Sequence, residues 1–199
     1  MEYVIEEVSR EQTAEIYKKH LERHFPPEEV KPLKNIYRMW DAGAYRVLGM
    51  YKQGEKQGGE QSALIGYAFF AMVRDVLLLD YFAVLEPYRG QGLGSLFLRE
   101  LREKLQGFTG LLIETEDAES AATEEELYER RQRDIFYERN GARRTGIRSE
   151  VYGVHYAIWD YPIERAASRE ECREQLTEIY RMMLEGDRFE RFFRYLQDG

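Results

Sequence analysis

Residues Val76 to Leu85 read Val-Leu-Leu-Leu-Asp-Tyr-Phe-Ala-Val-Leu, an apolar run interrupted by a single carboxylate. Gly90, Gly92 and Gly94 follow directly, and then Phe97, Leu98, Leu101 and Leu105 recur at helical spacing. A nearly continuous apolar run of this length predicts a strand buried on both faces. The order strand, glycine-rich turn, helix allows few arrangements, because the helix must fold back over the strand that precedes it. Successive backbone N–H groups at such a helix start form a site for phosphate, assisted by the helix dipole. Glycine suits the turn because a missing Cβ lets phosphate oxygens reach the backbone. Arg89 adds a positive charge at its mouth.

Strand-like and helix-like segments alternate on either side, with no internal repeat and no low-complexity linker. Residues 3–8 predict a strand, and Ser9-Arg10-Glu11-Gln12 a capping box before a helix carrying Tyr17, Leu21 and Phe25. Pro26-Pro27 stops that helix, and a second short one carries Leu33, Ile36 and Trp40 and ends near Gly43. Residues 45–52 and 63–74 predict a hairpin with a polar, glycine-rich tip from Gly54 to Ser62. Leu111 to Glu116 is a further strand. Thr123-Glu124-Glu125-Glu126 caps a helix running to Asn140-Gly141, and two strands follow near 142–151 and 153–160. Ser168 then caps a helix with Cys172, Leu176, Ile179, Tyr180 and Met183 on one stripe. Phe189, Phe192, Phe193 and Leu196 repeat that spacing, which predicts an all-helical appendage from about residue 166. Those aromatic stripes need cover, either from the domain or from a second subunit in a homodimer.

The turn discriminates between phosphate ligands. A dinucleotide fingerprint needs a third glycine where Ser95 stands, and a P-loop needs Gly-Lys-Ser/Thr, yet the first lysine after the turn is Lys104. What remains is Arg-x-x-Gly-x-Gly, filled by Arg89, Gly92 and Gly94 after an apolar strand. This resembles the pyrophosphate-binding motif of the GNAT acetyltransferase superfamily, although Glu86 precedes Pro87 where the family usually has proline one residue earlier. Phe136-Tyr137-Glu138-Arg139-Asn140-Gly141 is similar to the family's second signature, a helix ending Tyr-x-x-x-Gly before a strand. Ala142 stands where an aromatic residue is usual. The resemblance covers about residues 1–163, so the expected organisation is an acetyltransferase domain over 1–165 and a helical extension over 166–199.

That resemblance implies a mixed α/β (α+β) fold around a largely antiparallel sheet flanked by helices, split where the strands of Phe82 and Leu112 diverge. It implies acetyl-coenzyme A as co-substrate and no metal. Phe82, Ala83 and Val84 would hold the pantetheine arm, and Arg89, Gly90, Gln91, Gly92, Leu93, Gly94 and Ser95 the pyrophosphate. An N–H near Val84 would stabilise the oxyanion. An amine acceptor would attack the thioester directly, and Tyr137 would protonate the departing thiolate. At ~100° per residue, Tyr137 falls opposite Leu127, Tyr128 and Ile135, so packing with that stripe explains it poorly. A non-catalytic acyl-coenzyme A-binding regulatory module would keep the cradle without turnover, and a plain interaction protein would bind no coenzyme A at all.

Direct attack needs a base, since an alkylamine with a pKa near ~10.4 is only ~0.1% neutral at pH 7. Glu114 and Asp80 are candidates on the central strands, and Glu116 is a third. Asp80 shares a predicted strand face with Phe82 and Val84, where a charge is costly unless paired or functional. A salt-bridged or strand-end carboxylate explains each of them equally well. His20 and His24 stand four apart on a helix but have no third ligand in evidence, and are read as a solvated pair. The only cysteine, Cys172, lies on an apolar stripe and is read as packing.

With 199 residues, 43% hydrophobic and 33% charged, the chain suits a folded globular protein. The net charge of −8 disfavours nucleic acid as main partner and favours a cationic or amine substrate. No run approaches the length of a membrane span. The acidic start, Met1 to Glu7, reads as a strand rather than a signal peptide, and one cysteine fits a reducing, cytoplasmic setting.

Overall fold

A computed structural model describes residues 3–27, 29–53 and 63–197. The tip of the predicted hairpin, 54–62, lies outside the described residues. The chain is a mixed α/β protein with an open, mostly antiparallel sheet flanked by helices. The eight strands among the described residues are β1 (Tyr3–Glu7), β2 (Tyr45–Lys52), β3 (Ala63–Val73), β4 (Val76–Val84), β5 (Gly110–Glu116), β6 (Arg143–Val151), β7 (Val154–Pro162) and β8 (Phe193–Tyr195). Their order is β1-β2-β3-β4-β5-β7-β6-β8. The helices are α1 (Arg10–Ile16), α2 (Glu22–His24), α3 (Leu33–Asp41), α4 (Leu93–Lys104), α5 (Glu124–Arg139), α6 (Arg169–Met183) and α7 (Arg188–Phe192). Contacts divide the chain into two compact units, and β3 and β4 run from one into the other.

The first unit comprises Met1–Phe70 and Asp80–Lys104. Ser9 caps α1 in a reciprocal box with Gln12, as the sequence predicts. A wider π turn, Tyr17–Leu21, joins α1 to α2. Such turns rotate the face a helix presents and frequently occur at functional sites. Tyr17 and Leu21 are buried, and Phe25 packs edge-on against Tyr81. Helix α4 buries Leu93, Phe97, Leu98 and Leu101, each contributing roughly 1.5–3 kcal/mol. A Cβ on Gly66 would come 2.6 Å from the Ala83 carbonyl oxygen, so glycine there permits close approach of β3 to β4.

The second unit comprises Ala71–Leu79 and Leu105–Gly199. Val76–Leu79 pair in parallel with Gly110–Ile113, which the β4-α4-β5 crossover requires. Strand β5 then pairs antiparallel with β7 along its whole length. The tail corrects an expectation: it is not all-helical, because Phe193–Tyr195 form β8 and pair with Ser149–Val151 of β6. Helical spacing in Phe189, Phe192 and Phe193 was an insufficient guide, since Phe193 opens a strand whose partner is distant in sequence. Helix α6 buries Cys172, Leu176, Ile179, Tyr180 and Met183 within this same unit.

Helix α5 corrects a second expectation. Its supposed apolar stripe faces outward, with Tyr128 65% and Ile135 50% exposed. The packed face instead carries Arg130, Asp134 and Tyr137, at i, i+4 and i+7. Asp134 accepts from the Thr115 hydroxyl at 2.9 Å and pairs with Arg144 at 2.5 Å, while Trp159 Nε1 donates to Thr115 at 2.9 Å. Satisfied polar groups hold this helix where apolar ones were expected.

Candidate active site

The phosphate turn lies wholly in the first unit. After β4, Glu86–Tyr88 form one 3₁₀ turn, and Leu93 opens α4. Gly90 has φ +72° and Gly92 φ +76°, a left-handed geometry that favours glycine. No atom lies within 4 Å of where a Cβ would stand at either, so the backbone there faces open space. The first amide of the helix to find a backbone acceptor inside the turn is Leu96, bonding the Gly92 carbonyl at 3.1 Å. The N–H groups of Leu93, Gly94 and Ser95 precede it and have no partner one turn back. Arg89 Nε donates to the Val84 carbonyl at 3.0 Å, which holds the guanidinium beside the strand end, and Gln91 Nε2 donates to Pro87 O at 3.0 Å. Phe82, Ala83 and Val84 are half-buried, and the Phe82 ring lies 5.3 Å from Phe97. These features suit a pyrophosphate at the helix start.

The predicted base residues all have partners. Asp80, with its side chain 4% exposed, receives Lys31 Nζ at 2.6 Å and the Tyr45 hydroxyl at 2.5 Å. Burial and then the Asp80 charge push the Tyr45 phenol far up, so it stays a donor. Asp80 and Tyr81 both reach Lys31, whereas strict alternation would send these neighbours to opposite faces; Asp80 therefore does not share its surroundings with Phe82. The salt-bridged explanation fits Asp80. In the second unit, Glu114 Oε2 accepts from the Tyr180 hydroxyl at 2.6 Å. Glu116 pairs with Arg130 and Arg133, each at 2.9 Å.

Tyr137 does stand on another face of α5 than Tyr128 and Ile135, as expected, but its own face is the packed one, so burial is itself an explanation for the residue. Burial pushes its phenol up to about 12, and the Arg133 charge opposes that shift. Its carbonyl accepts from the amides of Asn140 and Ala142, and Gly141 takes φ +96°. The glycine of Tyr-x-x-x-Gly is thereby explained by the turn into β6.

The histidines are a further correction. His20 and His24 are half-buried rather than solvated, and His24 Nδ1 lies 2.8 Å from the Tyr67 hydroxyl. Tyr17, Leu21 and His24 recur at i, i+4 and i+7, a signal in the sequence that places His24 on the buried stripe. Among the described residues, no group of three or more His, Cys, Asp or Glu is arranged to hold a metal. Nor is any described helix long and apolar enough to cross a membrane.

A buried strand, a glycine turn and a helix with open first amides, on a mostly antiparallel mixed sheet, form the class of fold that the sequence resemblance implies, and the sequence comparison agrees. A profile of the acetyltransferase (GNAT) family matches residues 11–132, more than half of the chain, and the protein belongs to that family. Solved structures with the same fold include the ribosomal-protein-S18-alanine N-acetyltransferase of Escherichia coli, 21% identical over 83% of this chain and 97% of that one, with a TM-score of 0.57. A GNAT-family protein from Bacteroides thetaiotaomicron is 16% identical over 87% and 93%, with a TM-score of 0.61. A Salmonella typhimurium protein solved with its cofactor acetyl-CoA is 16% identical over 84% and 98%, with a TM-score of 0.56. A comparison with curated proteins gives no match.

Proposed function

We propose that this protein is an N-acetyltransferase that moves the acetyl group of acetyl-CoA to a primary amine by direct attack. The observation that carries the reading is the cradle of Gly90, Gly92 and the α4 start, open to a phosphate and flanked by Arg89. The pyrophosphate lies on the N–H groups of Leu93, Gly94 and Ser95, and the pantetheine arm runs along Phe82–Val84. Arg89 already occupies the Val84 carbonyl, so N–H groups of this strand end, rather than that carbonyl, serve the thioester. The acetyl-CoA thioester supplies the activated acyl group. The amine nitrogen bonds to its carbonyl carbon, the C–S bond breaks, and the electron pair leaves on sulfur. Tyr137 hydrogen-bonds or protonates that thiolate, the role its motif implies. The acidic net charge of −8 favours cationic amines among acceptors.

Binding and turnover are tested separately. Acetyl-CoA is expected to raise the melting temperature, because it binds the native state. Gly94 is helical and has no positive φ, so Gly94→Val tests the cradle more cleanly than Gly92→Val, which would also strain the backbone. Gly94→Val is expected to abolish the shift while the unliganded melting temperature changes little. Undiminished acetyl-CoA binding by that variant refutes the cradle. Free thiol released from acetyl-CoA with spermidine, phenylethylamine, lysine amide and an alanine-initiated hexapeptide scores transfer; binding without release on any amine marks a non-catalytic module.

A further inference from the structure

The β3–β4 side of the first unit carries an aromatic wall. Tyr67 meets Phe69 at 5.6 Å, Phe69 meets Tyr81 at 5.8 Å, and Tyr45 meets Phe69 at 6.2 Å. The chain between α2 and α3 is tied to this wall by tyrosine hydroxyls. Tyr81 donates to Glu29 O and accepts from Lys31 N–H, both at 2.8 Å, and Tyr17 donates to Lys31 O at 3.0 Å. His24, the last residue of α2, is therefore held at a fixed place. Its ring stacks on Tyr67, with centroids 5.9 Å apart and planes 4° from parallel. The charges of Arg89 and Glu86, just past the end of β4, reach the His24 ring, and that of Arg89 reaches the Tyr67 hydroxyl. His24 and Tyr67 thus stand near the strand end that the acetyl-transfer reading gives to the thioester.

We infer that His24 Nε2 is the base that takes the proton from the acceptor ammonium, with Tyr67 as its positioning residue. The inference rests on the acetyl-transfer reading. Nδ1 is engaged with Tyr67, and Nε2 has no hydrogen-bond partner among the described residues. With Nδ1–H donating to the Tyr67 oxygen, the lone pair falls on Nε2. Burial pushes the Tyr67 phenol up, so the oxygen accepts without losing its own proton. Burial is also the chief cause that lowers the His24 pKa, followed by the charges of Arg89 and His20, against an opposing pull from Glu86. The imidazole is accordingly neutral at pH 7, as a base must be. Asp80 is a poor rival, because both of its oxygens are held by Lys31 and Tyr45.

The step balances. One ammonium proton moves to Nε2, leaving a neutral amine and an imidazolium. Nitrogen bonds to the acetyl carbon, sulfur leaves with the C–S electron pair, and the thiolate gains the second nitrogen proton, directly or through the general acid. Imidazolium then returns its proton to solvent.

The full-length protein, labelled with ¹⁵N-histidine, provides the first test. The resonance lost in His24→Gln is expected to titrate below pH 6.5 and to show the Nδ1–H tautomer. An Nε2–H tautomer, or a pKa at or above 6.5, overturns the assignment. The second test is thiol release with the best amine of the panel. His24→Gln is expected to lose ~100-fold or more at pH 7 and to regain rate toward pH 10, where the amine deprotonates unaided. Tyr67→Phe is expected to lower kcat with little change in KM for acetyl-CoA. Acetyl-CoA still raising the melting temperature of His24→Gln shows that the variant folds. A wild-type pH profile in that variant refutes the base while leaving acetyl transfer standing. No thiol release from the wild type with any amine sets aside acetyl transfer itself, and the base with it.

Discussion

Tyr137 keeps its hydroxyl on a buried face of α5, and its pKa of about 12 bears on what it can do as an acid. A thiol near ~8.5 is a stronger acid by ~3.5 units, so complete transfer to the thiolate is uphill by about 5 kcal/mol. Such a cost is compatible with turnover, and a short hydrogen bond to the developing thiolate recovers part of it. Tyr137→Phe removes only the hydroxyl. Single-turnover transfer is expected to fall ~100-fold, with acetyl-CoA affinity within a few-fold of wild type. The acid form is lost as pH rises through about 12, so the rate is expected not to decline on this account below pH 10. A falling limb between pH 8 and 10 that disappears in Tyr137→Phe contradicts this. The residue itself was legible, because Tyr-x-x-x-Gly is contiguous in the chain. Its surroundings were not, because hydrophobicity alone could not foresee that Asp134 and Arg130 would take the packed side of the helix.

At the scale of elements, the connection from α2 to α3 depends on an ion pair in a nearly closed setting. Asp80 is 4% exposed and Lys31 27% exposed in their side chains. A buried pair adds little net stability, but removing one member leaves an uncompensated charge costing roughly 3–5 kcal/mol. Lys31→Met is expected to destabilise by about that amount in urea unfolding, and adding Asp80→Asn is expected to recover part of the loss. Lys31→Met matching wild type would show that solvent reaches Asp80. Capping boxes at Ser9 and Ser168 and the α4 stripe were readable because each lies within one turn or one helix. The α5 face and β8 were not, since their partners lie on other strands.

For the molecule as a whole, residues 166–199 are expected to be indispensable. Within the second unit, Leu176, Ile179, Met183 and Phe193 are buried, and Tyr180 bonds Glu114. Those four apolar side chains contribute roughly 6–12 kcal/mol, comparable with a whole domain's ~5–15 kcal/mol. A chain ending at Ala167 is therefore expected to aggregate or remain unfolded. A monomeric truncated protein melting like the full chain would contradict it.

The sequence by itself determined the strand, glycine turn and helix proposed as the cradle, the order of most elements and the family, because these depend on local geometry: glycine spacing, caps and the periodicity of apolar residues. Tertiary structure decided the rest. Asp80 was a charge in an apolar run until Lys31 and Tyr45 closed on it. His24 was half of an unremarkable pair until Tyr67, 43 residues away, met its ring. The tail was helical by spacing until β6 offered Phe193 an edge. Pairing of charges, tautomers and strand edges depends on which distant residue arrives, and local periodicity carries no record of that.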